Sequence, residues 1–524
     1  MVHKRFYFFL LGFTFLSVFL SHGQGSSSSS NVDRPMRVEI PAKTTDETYQ
    51  IVPLGTNGAL LFFKSVEIVN DTLTKWYFSF YDSDFHLKWI KNIPVKTGLE
   101  LRDYFLGKDT VDFLFLTGEK TKGVTGCEMI VRMDLSSGTF TGTRHTIVDN
   151  VIPVKFLVLY GIAFIGYNLK NEPSHIQIIN LQSGKVTDSP LSPAGTPSTL
   201  TGFITDTLSS SIFATIRKVE SKNHVVSNLL KINFSGSLLS ETELSTISPL
   251  WELGNPQLVM LNTDDLLIIS TYSATGRSGK SSPLTSSSGF FTCRVKNGVQ
   301  SDIRFKNFLE LKNYKNIIQE KELMAIKKKA NKKNRPVDDY STEVNLLVHP
   351  LIVHDDQLVF VAESYVPEYH SENFTEFDFY GRPYINTYNV FDGYRYTSAM
   401  IVGFDRLGNL EWDNSMEIRN LISTELTPKV NVYFSSSDTA VLCYSSEGRI
   451  ASKIIKGNDV VEKLDFSAME QLNPEDKMIT DSKSFMVSWY DSFFLCYGYQ
   501  DIKNINSSED KKRLVFYFTK VKFD

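Results

Sequence analysis

The chain is written as short apolar runs separated by polar turns rich in Asp, Asn, Gly and Ser. Eight runs stand out: Leu60–Ile68, Leu114–Glu119, Ala163–Leu169, Ser211–Val219, Leu266–Tyr272, Leu358–Tyr365, Ala440–Ser446 and Phe493–Gln500. Their β-branched and aromatic content predicts strands. Downstream of the first seven runs a second pattern recurs: a strand, an Asp or Asn, a turn, then another strand. It begins at Tyr81, Met133, Asn180, Asn233, Val295, Phe404 and Ile455. Gly, Asn and Asp are the residues a tight hairpin requires.

Most of the runs lie about 50 residues apart, close to the length of one four-stranded propeller blade. An eighth unit begins at Leu514–Lys520 as the chain ends. Pro35–Ile40 is expected to supply its outer strand, joining the two ends of the ring and removing open sheet edges. The predicted fold is therefore all-β: a single β-propeller over residues 34–524, with eight blades or, alternatively, seven, and one helical insertion. A large sandwich and a pair of smaller β domains are the other arrangements the pattern allows.

Two hairpins carry a further signature. Asp405, Gly408 and Trp412 resemble the D-x-x-G-x-x-x-W turn of quinoprotein-like and WD40-like propellers. Asp82 and Trp89 have the same spacing, with Phe85 in place of the glycine. The resemblance implies that each Trp docks between neighbouring blades. It speaks for fold and carries no quinone or calcium site.

Composition changes the picture mainly at the start. Lys4 and Arg5 precede the uncharged, mostly apolar run Phe6–Leu20, and small residues flank a cut before Gln24. This is the layout of a secretory signal peptide, expected over residues 1–23. The apolar run is shorter than the ~20 residues of a membrane span, so no transmembrane segment is expected after cleavage. Residues 24–33, with Ser26–Ser30, read as a polar linker. The expected location is outside the cytoplasm: periplasmic, cell-surface or extracellular. The net charge of −4 argues against a nucleic-acid partner, which calls for a basic protein. Cys127, Cys293, Cys443 and Cys496 are widely spaced, with no CxxC pair. They read as small buried side chains, with one disulfide allowed by export.

Two insertions break the repeat. Residues 305–339 contain no Gly or Pro between Lys306 and Lys333 and read as a helix, with Leu311, Tyr314 and Ile318 as its apolar stripe. It ends in a basic cluster, Lys327, Lys328, Lys329, Lys332, Lys333 and Arg335, before Pro336. In an exported protein such a cluster suits an anionic surface; as a bland alternative it is a solvated helix end. Residues 365–397 hold eleven aromatics and read as a long loop, either a binding surface or a lid packed on the blade edge. Tyr combines a flat apolar face with a hydroxyl, which suits glycan or peptide contact. Tyr369, His370, Asp378, Tyr380, Arg382 and Tyr384 are the candidate contacts. In a four-stranded blade, the two insertions open on one face, where their opposite charges could clamp together or line a groove.

Catalytic signatures are missing from the sequence. There is no HExxH, GxSxG, P-loop or dinucleotide fingerprint. No catalytic residues, metal ligands or cofactors are assigned; His354-Asp355-Asp356 reads as a turn. The expectation is an exported binding or scaffold protein of the cell envelope, recognising a protein or a glycan. The alternative is a glycan-active hydrolase or lyase using Glu363, Glu368, Glu372 or Asp378, since such chemistry needs two carboxylates about 5 to 10 Å apart.

Overall fold

The computed structural model describes Met36 to Phe523, apart from residues 44–48, 71, 118–125, 149, 222–223, 247–250, 274–285, 315–319, 334–341, 436–437 and 505–511. The signal peptide and serine linker lie outside the described residues.

The strands form eight antiparallel sheets that follow one another along the chain. Each of the eight apolar runs falls in the second strand of one sheet, and each of the seven hairpins joins a third strand to a fourth. The outermost strands are polar and exposed, as at Asp459–Ala468 and Leu238–Glu243. The second strands are buried on both faces, which explains their nearly unbroken apolar character.

Alternation along those strands builds the ring. In the second sheet, Phe113 and Phe115 pack toward the first, while Leu114 and Leu116 pack toward the third. In the sixth, Leu358 and Phe360 face the fifth, while Val359 and Val361 face the seventh. The same division recurs between the remaining neighbours. Ile51 and Leu61 of the first sheet pack with Leu495 and Phe518 of the last, closing the circle. The molecule is an all-β propeller, its core divided into eight apolar layers between adjacent sheets.

The ring is latched by its own N-terminal segment. Arg37–Pro41 pairs antiparallel with Lys512–Lys522, Arg37 opposite Thr519 and Pro41 opposite Val515. The Arg37 guanidinium donates to Gln500 Oε1 at 2.8 Å and to Glu39 Oε1 at 2.8 Å, and lies 4.3 Å over the Tyr517 ring.

The two signature hairpins share one geometry. Asp405 Oδ1 accepts from the Leu407 and Asn409 amides, each at 2.8 Å. Asp82 Oδ1 accepts from the Asp84 and His86 amides at 3.0 and 2.8 Å. Gly408 takes the left-handed turn position with φ 80°; Phe85 takes its counterpart with φ 62°. A bulky residue there costs about 1–3 kcal/mol. Burial of the Phe85 ring between Trp489 and Phe518 of the last sheet offsets that cost. Trp89 reaches into the next sheet, its indole N–H donating to Leu135 O at 2.9 Å. Trp412 joins the apolar layer shared with the seventh sheet.

Two expectations are corrected. The basic insertion is not one helix from Lys306: Val299–Asn307 is a strand, Phe308–Glu310 a 3-10 turn, and the helix spans Glu320–Lys333. The reason is tertiary. The buried carboxylate of Asp413 accepts from the Lys312, Asn313 and Tyr314 amides at 2.8, 2.7 and 2.9 Å, which occupies the donors a helix would use. Leu311 and Tyr314 are core residues between the fifth and sixth sheets, not a helical stripe; Ile318 lies outside the described residues. The aromatic insertion is not an irregular loop. It extends the paired strands Gln357–Phe377 and Pro383–Phe404 of the sixth sheet as a two-stranded ribbon. Cys293, Cys443 and Cys496 are free, buried thiols, in line with the reading of them as small buried side chains.

Candidate functional site

The ribbon leaves the ring at Tyr365 and Tyr396, both buried. Beyond that base, eight aromatics are exposed: Tyr369, Phe374, Phe377, Phe379, Tyr380, Tyr384, Tyr388 and Phe391. Pairing is continuous from Tyr369 opposite Phe391 to Phe377 opposite Pro383. The turn at the tip repeats the hairpin device of the blades. Asp378 Oδ1 accepts from the Tyr380 and Arg382 amides at 2.9 and 2.8 Å, and Gly381 is left-handed with φ 74°. Phe379 is 97% exposed at this tip.

Strand alternation gives the ribbon two different faces. One carries Tyr369 and Phe391, then polar rungs: Ser371 donates to Asn389 at 3.0 Å and Thr387 to Asn373 at 2.8 Å. The other carries His370, Glu372, Phe374 and Glu376, facing Val390, Tyr388, Asn386 and Tyr384. There the Tyr384 hydroxyl donates to Glu376 Oε2 at 2.6 Å, and Tyr388 donates to Oε1. These bonds hold the Glu376 carboxyl below its ordinary range and raise both phenols. His370 lies between Glu372 Oε1, at 2.9 Å, and Asp392 Oδ1, at 2.5 Å.

The six sequence-derived contacts therefore share one ribbon but not one face. Tyr369 is near the base on the first face, and His370 and Tyr384 lie on the second. Tyr380 and Arg382 are at the tip, with the guanidinium 5.8 Å over the ring. The Asp378 carboxylate turns inward to the tip backbone. In the basic helix, Lys327, Lys328 and Lys332 are exposed; Lys329 and Lys333 lie on the helix, and Arg335 is outside the described residues. No hydrogen bond or ion pair joins helix to ribbon among the described residues. The ribbon's charges pair among themselves, as Arg395 does with Glu368 at 3.3 Å.

Sequence reasoning missed a sizeable cavity. About 850 Å³ opens at the inner edges of the first, second and eighth sheets, beside the connection from the sixth sheet to the seventh. Its lining mixes rings (Tyr49, Tyr104, Phe485, Tyr497) with charges (Glu425, Lys429). The Lys429 ammonium lies 4.3 Å over Phe485, and burial lowers its pKa, with nearby Glu363 opposing. Ile422 and Ser423 line this cavity and also pair with Arg395 and Tyr394 at the ribbon base. Cavity mouth and ribbon are thus one continuous surface on one face of the ring.

The carboxylates considered for sugar cleavage do not converge there. Glu363 is fully buried, accepting from the Lys429 and Val430 amides at 2.7 and 2.6 Å, with His349 Nε2 at 2.8 Å. Glu368 and Glu372 are paired along the ribbon, and Asp378 holds the tip.

An all-β propeller with an aromatic ribbon beside a cavity is the class of molecule these observations define. No family model and no curated protein matches the chain. Among solved structures it is similar to the polysaccharide lyase Uly1, at 9% identity and TM-score 0.38, covering 80% of this chain and 89% of that one. It is also similar to the WD40 domain of SCAP from fission yeast, at 9% identity and TM-score 0.36, covering 92% and 98%. The β-propeller domain of the Trilobed protease from Pyrococcus furiosus aligns at 9% identity and TM-score 0.34, covering 79% and 98%.

Proposed function

We propose that this chain is an exported binding protein of the cell envelope, which recognises a protein or a glycan on the face formed by the aromatic ribbon and the cavity mouth. One observation carries the reading: eight exposed aromatics are held on a hydrogen-bonded ribbon that contributes nothing to the ring's core beyond its base. Soluble proteins rarely expose contiguous apolar surface without a partner for it. Two-sided aromatic presentation with neighbouring carboxyl and amide groups suits stacking on sugar rings or on a partner's side chains. Export rests on the Lys4–Leu20 pattern, and the exposed lysines Lys327, Lys328 and Lys332 serve as a flanking contact for an anionic surface.

The test replaces residues 367–393 with an Asn-Gly turn. The expected result is an unchanged melting temperature and loss of binding on arrays of envelope glycans and in cross-linking to envelope proteins. Retained binding by the shortened protein would overturn the proposal. Turnover of a glycan by the parent protein would instead establish the glycan-active alternative.

A further inference from the structure

We propose that His354, Asp355 and Asp438 form a divalent transition-metal site that clasps the sixth and seventh sheets together. His354 and Asp355 sit in the hairpin between Ile352–His354 and Gln357–Phe377; Asp438 sits in the corresponding hairpin of the seventh sheet. Antiparallel geometry puts both hairpins on the face opposite the ribbon. One donor atom from each residue lies within 4.8 Å of the other two. His354 Nε2 is 3.6 Å from Asp438 Oδ1 and 3.9 Å from Asp355 Oδ2.

Those separations discriminate. Neither is a hydrogen-bond length. Zinc binds N and O ligands at about 2.0–2.2 Å in tetrahedral sites, and the edge of such a tetrahedron is about 3.4 Å. A few tenths of an ångström of closure brings the imidazole nitrogen to that spacing from each carboxylate.

A second observation is independent of the carboxylates. The Nε2 atom is buried within a side chain 24% exposed and, apart from these two carboxylates, has no hydrogen-bond partner, an arrangement that calls for an explanation. Its ring is fixed by stacking on Phe434 of the seventh sheet, centroids 4.4 Å apart and planes within 17°. The imidazole is therefore aimed at the carboxylates by packing rather than by them. One imidazole with two carboxylates favours a borderline ion such as Zn²⁺ over Ca²⁺ or Mg²⁺, which take all-oxygen sets. Three protein ligands leave a fourth position for water or for a partner's side chain.

The experiment is calorimetric titration of the chelator-treated full-length mature chain with Zn²⁺, with Co²⁺ as a spectroscopic probe. The proposal expects one saturable equivalent and tetrahedral Co²⁺ absorption. It expects affinity to fall at least ~tenfold in Asp438→Asn and Asp355→Asn, with Asp356→Asn, at the exposed neighbouring position, unchanged. The two Asn variants are conservative changes at exposed turns, so their folding is checked simply by melting. No saturable binding, or binding indifferent to Asp438→Asn, would overturn the site and leave a histidine paired with two carboxylates only when protonated.

Discussion

Glu128 is the clearest electrostatic liability in the ring. It lies on the strand Cys127–Asp134 of the second sheet, with its side chain fully buried against the third. Burial, with repulsion from Asp188 adding to it, pushes its carboxyl up from an ordinary 4.5 to about 8. Between those values the folded chain holds a proton that the unfolded chain has released. Stability therefore falls as pH rises from about 4.5 to about 8 and levels off above that window. At 1.36 kcal/mol per pH unit, the contribution is on the order of 5 kcal/mol across the whole range. Glu128→Gln keeps the shape and removes the ionisation. The assay is urea unfolding of both proteins from pH 5 to pH 9, compared at constant m. The difference in unfolding free energy should grow in favour of the glutamine variant by several kcal/mol toward pH 9. A difference that stays flat with pH would refute the reasoning, since desolvation of Glu128 would then have no energetic weight.

Further outcomes follow from other sites. His370 has its pKa raised by its bonds to Glu372 and Asp392; the ribbon staple should be complete below 6.5 and be lost as pH rises through the raised value, read by NMR titration of the imidazole and absent in Asp392→Asn. Asp413→Ala should destabilise the fold by roughly 3 kcal/mol, because three amides, that of Tyr314 buried, lose a charged acceptor, and should raise hydrogen exchange at residues 312–314. Burial pushes the Cys293 thiol up to about 12 and raises Cys443 and Cys496 further; all three should resist thiol reagents until the chain unfolds, and rapid labelling of the native protein would contradict the packing described.

The repeat was legible in the sequence because the second strands are sandwiched between neighbours and the hairpins need special turn residues. Both constraints leave marks on residue identity. The inner strands left none, and neither did the cavity that some of them line. Register shifts at Leu101/Asp103, Ser482/Phe485 and elsewhere interrupt their alternation of faces, so no period of two survives to be read. The basic insertion was misread for the opposite reason. Its helical propensity is real, but Asp413, about 100 residues away, captures the backbone first. Composition marks the aromatic insertion as unusual, yet its ribbon form depends on pairing that composition does not encode. The metal-site candidates sit in turns of two different sheets, joined only by the ring.

The latch between Arg37 and Thr519 has a consequence for the order in which the molecule is made. The strand Arg37–Pro41 is synthesised long before its partner Lys512–Lys522. At about 5–20 residues per second, the segment waits tens of seconds without a mate. Its alternation of Arg37 and Glu39 with apolar residues keeps that waiting edge charged, which discourages pairing with the wrong chain. Ring closure waits for that partner and joins the first sheet to the last. A fresh break between any two sheets would move the seam without changing the architecture, so permuted chains should report whether assembly speed is set by where the latch lies.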